Sequence, residues 1–218
     1  MGTFFFQPLL FFRQKLDGPP RWQYAAIAPF ICVALHAVAY SIIASRTTAP
    51  VMQSLRTLGF QVAVVRPMLY IFSVTGSASY LMTWIASTLF LICLDIVFGN
   101  DSRRHSRLFE LTAYAYYSQI PMLAAVLVLA FTFEPPPFSL HGIHDQELIL
   151  SYARQYAQEI KTSLPFAFVA VSQYYFQAWL MGLMVVCLAA MSKLSWKRSI
   201  VYGVLLYGFF FVLPTVVA

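Results

Sequence analysis

From Met68 to Phe98 the chain carries one charged side chain, Asp95. Four further apolar runs resemble it: Trp22 to Ser45, Leu108 to Phe133, Leu164 to Met191 and Ile200 to Val217. About 20 mostly apolar residues cross a bilayer core as a helix. Within hydrocarbon, backbone amides must bond inside their own segment, which a helix achieves. The expected fold is therefore all-α: a polytopic integral membrane protein with five transmembrane helices. Composition agrees, at 60% hydrophobic and 10% charged. Soluble domains run nearer to about 45–50% apolar and about 25% charged.

The spans have readable ends. Trp22 to Ser45 lies between Arg21 and Arg46, and Met68 to Phe98 follows Arg66-Pro67. At about 1.5 Å per residue the second run exceeds a bilayer core, so it must tilt, bend near Gly76 or project into water. The third run ends at Glu134 and three prolines, which no helix continues through. Residues 1–21 form a separate N-terminal arm, and 22–218 the membrane domain. Phe4, Phe5, Phe6, Leu9, Leu10, Phe11 and Phe12 are expected in the headgroup region, with Arg13 and Lys15 at phosphate level.

Charge between the spans sets orientation. Arg13, Lys15, Arg21, Arg103, Arg104, Arg107, Lys193, Lys197 and Arg198 fall on one side of a five-span chain. The other side holds Arg46, Arg56, Arg66, Arg154 and Lys161, together with Glu134, Asp145, Glu147 and Glu159. The positive-inside bias puts the N-terminus in the cytoplasm and the C-terminus outside. The net charge of +6 is thus topological rather than a signal of nucleic-acid binding. Two longer connections stand out. Val51, Leu55, Leu58, Val62 and Val65 have the spacing of an amphipathic helix lying on the outer surface, and residues 138–162 hold a soluble helix in their second half.

Polar groups inside a membrane are the usual entry to function. Asp95 either pairs with Arg103, Arg104 or Arg107, or serves an ion or proton relay. Glu110, opening the third span, suits a helix N-terminus. His36 hydrogen-bonds to a neighbouring helix or ligates a cofactor such as a tetrapyrrole. Gln119, Gln173 and Gln177 are placed to bond across helices, while Ser79, Thr83 and Ser87, and Ala178 with Gly182, form small-residue stripes suited to close packing. His141, His144, Asp145 and Glu147 read as a solvated loop, zinc being the weaker alternative. Cys32, Cys93 and Cys187 lie in apolar runs without pairing or metal spacing. No nucleophile elbow, His-Glu-x-x-His or Walker loop occurs. No catalytic residue, metal or cofactor is expected, and the chain is not read as an enzyme.

One stretch concentrates the chemistry: "FGNDSRRHSRLFELTAYAYYSQIP", Phe98 to Pro121. Gly99, Asn100 and Asp101 are turn formers, and the three arginines are retention charges for the second and third spans. Tyr114, Tyr117 and Pro121 follow at i, i+3 and i+7 on one helix face. Pro121 frees a backbone carbonyl near Tyr117, and Ser118 and Gln119 can satisfy freed groups. A kinked face with polar handles suits docking of another helix, from this chain or from a partner. Tyr114, Tyr117, Gln119, Pro121, Gln173 and Gln177 are the candidate partner-binding residues.

This stretch resembles the second hairpin of the Yip (Ypt/Rab-interacting) membrane-protein family, through Gly99, Phe109, Tyr114, Tyr116, Tyr117, Ser118 and Pro121. "YYFQAWLMGLMVVCLAAMSKLSWKRSIVYGVLLYG" is similar to its last hairpin, through Phe176, Trp179, Leu180, Gly182, Ser192, Trp196, Lys197 and Arg198. The Asp-Leu-Tyr-Gly-Pro motif of the eukaryotic branch is absent, so the likeness is to bacterial-type members. It implies five spans in a bacterial plasma (inner) membrane. It also implies a non-enzymatic accessory or scaffold subunit of a larger membrane complex, associated with a transporter. Membrane lipids and other integral subunits would be its partners, in a homo- or hetero-oligomer. The alternative expectation is a small transporter, channel or lipid-handling protein acting as an oligomer.

Overall fold

A computed structural model of the chain describes residues 2–60, 65–97, 105–140, 142–143, 145–192 and 195–212; for Gly2, residues 65–70, Phe72 and Trp196 it describes the backbone alone. Among the described residues every regular element is helical. The arm holds α1 (Gly2–Phe6) and α2 (Pro8–Asp17). Pro8 opens α2, where its missing N–H is no loss.

The next helix, α3, spans Trp22–Thr57. Its 36 residues, at about 1.5 Å each, give roughly 54 Å, well beyond a hydrocarbon core of about 30 Å. The expected surface helix beginning near Thr47 is therefore not a separate element: residues 47–57 prolong the first span. Pro50 does not end it: the helix continues through Pro50 to Thr57. Thr47 Oγ1 donates to Ile43 O at 2.9 Å, and Thr48 Oγ1 donates to Ala44 O at 2.6 Å. The true stop is Gly59, whose φ of 85° suits a residue without Cβ. There the N–H of Phe60 reaches Leu55 O at 3.1 Å and that of Gly59 reaches Arg56 O at 3.0 Å. Val62 lies outside the described residues, and Val65 begins the following helix.

That helix, α4 (Val65–Val97), runs unbroken through Gly76. The Phe98–Arg104 turn, with Arg103 and Arg104, lies outside the described residues. The third apolar run is divided into α5 (His105–Ala115), a 3₁₀ turn (Tyr116–Gln119) and α6 (Ile120–Thr132). The soluble helix expected in the long connection is α7 (Gln146–Thr162), capped by Asp145, whose carboxylate accepts from the N–H groups of Glu147 and Leu148. His141 and His144 lie outside the described residues. Then come α8 (Leu164–Ser192) and α9 (Trp196–Tyr207), the latter continued by a π-helical turn, Gly208–Val212.

Among the described residues four helical segments are long and apolar enough to cross a membrane: Trp22–Thr57, Ser73–Val97, His105–Thr132 and Leu164–Ser192. The expected fifth span is described only as far as Val212, and residues 213–218 lie outside the described part. Lipid contact fits the outer faces. Phe30, Val74, Met82, Val128, Phe168, Val171 and Val204 are each more than half exposed, the reverse of a water-facing surface.

The chain divides into two compact units, to each of which the long helical segments contribute. One comprises Met1–Val33, Ser79–Pro121 and Tyr174–Ala218; Leu91, Leu108, Leu111, Leu183, Met184 and Leu188 are fully buried within it. The other comprises Ala34–Ala78 and Met122–Gln173. Its core joins Ala39 and Ile43 of α3 to Val126 and Ala130 of α6, while Phe133 packs with Tyr156 and Ile160 of α7. Tyr156 Oη donates to Thr47 O at 3.1 Å, and Arg46 Nη1 donates to Phe133 O at 3.0 Å.

The small-residue stripes pack only in part. Ser87 is buried and its Oγ donates to Met184 Sδ of α8 at 3.4 Å, and Thr83 is half-buried, but Ser79 is exposed, and so are Ala178 and Gly182. On α4 the buried side chains among the described residues are Ser77, Ser87, Thr88, Leu91 and Asp95. Trp84 explains the rotation of that face: its indole N–H donates to Thr112 Oγ1 at 3.1 Å, and Thr88 and Thr112 share a hydrogen bond of 2.8 Å. On α8 the buried side chains are Leu180, Met181, Leu183, Met184, Val185, Cys187 and Leu188. The two helices thus differ: α8 turns bulky apolar side chains inward, whereas α4 buries mainly small and polar ones and leaves Val74, Met82, Ile85 and Leu89 exposed.

Candidate functional site

Pro121 shapes the site through what it lacks. Without an N–H it cannot bond to Tyr117 O, and its ring crowds that carbonyl. The helix tightens into the 3₁₀ turn at Tyr116–Gln119 immediately before it. The Tyr116 hydroxyl in this turn is buried without a partner, but other polar groups here are satisfied individually, all within the first unit. Ser118 Oγ donates to Ala115 O at 2.8 Å. Cys32 Sγ donates to Tyr116 O at 3.5 Å. Tyr117 Oη donates to Tyr24 O at 3.0 Å, and Gln119 Nε2 donates to Phe176 O at 2.7 Å. The kink is thus fastened to both α3 and α8, and an interhelical bond of this kind contributes about 0.6–2 kcal/mol.

The tyrosine face is covered by the chain's own arm. Phe4 and Phe12 are buried, while Phe6, Leu9 and Leu10 remain exposed. Two of the arm's phenylalanines thus turn inward onto protein. Phe11 meets Phe4, Phe12 and Tyr114 edge-to-face at centroid distances of 5.2, 5.2 and 6.0 Å. Lys15 Nζ sits 5.0 Å from the Tyr114 ring centroid and 5.5 Å from that of Phe11. A cation above aromatic faces adds electrostatic attraction to the contact.

A polar latch holds the arm in place. Arg107 Nη1 donates to Glu110 Oε2 across one helical turn. Its Nη2 donates to Lys15 O at 2.6 Å and to Gly18 O at 3.0 Å. Glu110 Oε1 accepts the backbone N–H of Arg21 at 2.8 Å. Both side chains are largely withdrawn from solvent, at 11% and 1% exposure. Arg107 therefore ties the end of α2 to α5, and Glu110 ties the start of α3. The sequence offered one signal for this, an Arg-Glu pair at i, i+3. Read alone, however, the arginine passes for a retention charge and the acid for a helix-terminal residue.

Two adjoining clefts lie beneath the arm, with Phe11 in both walls. One, of about 330 Å³, is lined by Phe4, Phe5, Phe11, Tyr114, Tyr117 and Pro121, with Ile120. The other, of about 370 Å³, is lined mainly by Gln14, Lys15, Arg21 and Glu110. The Tyr114 hydroxyl is buried and has no hydrogen-bond partner. An unpaired buried polar group of this kind costs about 1–3 kcal/mol.

The other candidate residues are dispersed. Asp95, also in the first unit, is fully buried and accepts no hydrogen bond. Its Oδ2 is 3.6 Å from His105 Nε2. Arg107 is not its partner, being engaged by Glu110; Arg103 and Arg104 lie outside the described residues. Gln177 is half-buried in the first unit, and Gln173 half-buried in the second. His36 bonds through Nδ1 to Ser77 Oγ at 2.7 Å and stacks on Tyr40 at 4.0 Å, which matches the neighbouring-helix reading. Among the described residues no three His, Cys, Asp or Glu side chains gather as a metal site.

Comparison with known proteins adds one result. A family model described as "Yip1 domain" matches residues 1–217, nearly the whole chain. No curated protein and no solved structure matches.

Proposed function

We propose that this chain, which belongs to the Yip1 domain family, is a non-enzymatic accessory or scaffold subunit of a larger membrane complex, associated with a transporter. The family is associated with membrane trafficking and is not generally enzymatic. The observation that carries the reading is the tyrosine face itself. Tyr114, Tyr117 and Pro121 form an apolar surface with a kinked backbone, and an amphipathic segment already docks on it. A surface that accepts one such segment has the chemistry to accept another from a partner subunit, with Arg107 and Glu110 setting how readily the arm gives way. Tyr174 and Tyr175 on α8 are exposed aromatic side chains as well.

In this reading the protein has five spans in a bacterial inner membrane, with its arm on the cytoplasmic side where most of the basic residues gather. Purification from native membranes in mild detergent should recover stoichiometric integral partners. The doubly substituted Tyr117→Leu, Gln119→Leu chain should recover less of them. Equal recovery by both would refute the docking face.

A second reading, a small oligomeric transporter, is favoured by one feature: the buried Asp95 carboxylate beside His105. An ionisable side chain buried within a span is where an ion or proton path would place a relay. Proton or ion flux into proteoliposomes, lost in Asp95→Asn, is its test; absence of flux with the wild-type chain removes it.

A further inference from the structure

We propose that the arm completes a binding site for one anionic phospholipid, with its phosphate at Lys15 and Arg21 and the start of an acyl chain in the cleft beneath Phe4 and Phe11. The aromatic cleft is the one that partner docking would use, here with the arm seated over it; the polar cleft and the Tyr114 hydroxyl are the observations this inference adds.

Three features converge on an amphiphile. First, the two clefts adjoin through Phe11 and differ in character: one is walled by aromatic rings, the other by Gln14, Lys15 and Arg21. Each volume falls within the usual range of ligand sites, about 300–1,000 Å³. A ligand that fills both must carry a polar head on an apolar chain. Second, the charge is positive where the head would lie. Glu110 also lines the polar cleft, but its carboxylate is already engaged by Arg107 and by the N–H of Arg21. The cationic groups of Lys15 and Arg21 are left to attract an anion. Third, Tyr114 lines the apolar cleft and its hydroxyl, buried, donates to nothing in the protein. A phosphate or ester oxygen at the junction of the two clefts would accept from it.

A free phosphate would satisfy Lys15 and Arg21 but leave the aromatic cleft empty. A partner helix would fill the aromatic cleft but supply no oxyanion. An anionic phospholipid does both, and the leaflet facing the basic loops is where such lipids meet cationic side chains. Exposed Phe6, Leu9 and Leu10 on the arm give the second acyl chain an apolar surface to lie along.

The test is native mass spectrometry of the full-length protein in a neutral detergent, titrated with phosphatidylglycerol, phosphatidylcholine or inorganic phosphate. One phosphatidylglycerol should be retained, at least about tenfold more tightly than phosphatidylcholine. Tyr114→Phe removes only a hydroxyl that the protein itself does not use. It should weaken phosphatidylglycerol about two- to tenfold, the worth of one hydrogen bond, and leave the melting temperature of the lipid-free protein unchanged or raised. Arg21→Gln, which keeps the backbone bond to Glu110, should weaken it further. Equal retention of the two lipids, unchanged affinity in both variants, or full displacement of phosphatidylglycerol by millimolar phosphate would each overturn the site. So would a co-purifying protein that blocks phosphatidylglycerol from the cleft.

Discussion

Arg107 and Glu110 stand one turn apart on α5 and form a buried ion pair whose remaining hydrogen bonds all go to the N-terminal arm and the start of α3. The pair is therefore less a property of α5 than a clasp on everything before residue 22. Its strength comes from sharing. One guanidinium serves a carboxylate and the carbonyls that end α2, a task suited to arginine's planar fork.

Removing one member should release the arm. Arg107→Ala leaves Glu110 buried and short of a partner, and breaking such a pair costs about 3–5 kcal/mol. Trypsin should then cut at Arg13 and Lys15 several-fold faster than in the wild-type chain. Arg107→Lys should fall between the two, because an ammonium cannot hold the same fork of partners. Unchanged cleavage in Arg107→Ala would show that aromatic packing alone seats the arm.

The kink should depend on Gln119 more than on Tyr117. Gln119→Leu removes the bond to Phe176 O on a buried face, whereas Tyr117 meets Tyr24 O at an exposed one. Thermal unfolding in detergent should show a loss of about 0.6–2 kcal/mol for Gln119→Leu and a smaller loss for Tyr117→Phe. The reverse order would mean that α3, rather than α8, fixes the kink.

Outside the membrane spans, Tyr156 anchors α7 to α3. Burial, with the nearby Glu159 adding to it, raises its phenol above the ordinary value of 10.0. A raised acid is stabilised in its protonated form. The contribution is therefore complete below about pH 10 and is lost as pH climbs through the folded-state value. Tyr156→Phe should cost about 0.5–1.5 kcal/mol at neutral pH. That difference from wild type should shrink above pH 10, as followed by thermal denaturation at stepped pH.

Orientation can be read chemically. In a chain whose native cysteines are replaced by alanine, single cysteines at Gln14 and Ser195 should react with an impermeant maleimide from the cytoplasmic side only. One at Gln158 should react from the opposite side. Labelling of Gln14 and Gln158 from a single compartment would overturn the assigned topology.

Much of the architecture was present in the order of residues. Apolar length dictates helices, because unpaired amides cannot be left in hydrocarbon. Pro121 dictates a local break, because it has neither a donor nor room for the preceding turn. The Asp145 cap and the apolar spacing of α7 likewise follow from neighbours a few positions apart. The sequence also placed Tyr114, Tyr117 and Pro121 on one face, since a helix face is a short-range property. What it left open was decided across long separations. Whether Arg107 meets Asp95 or Glu110, which face of α4 turns inward around Trp84, and whether Phe4 and Phe12 meet lipid or protein depend on which helices become neighbours. No local pattern encodes that choice. It is set by the summed burial of many side chains, and only the assembled tertiary structure performs the sum.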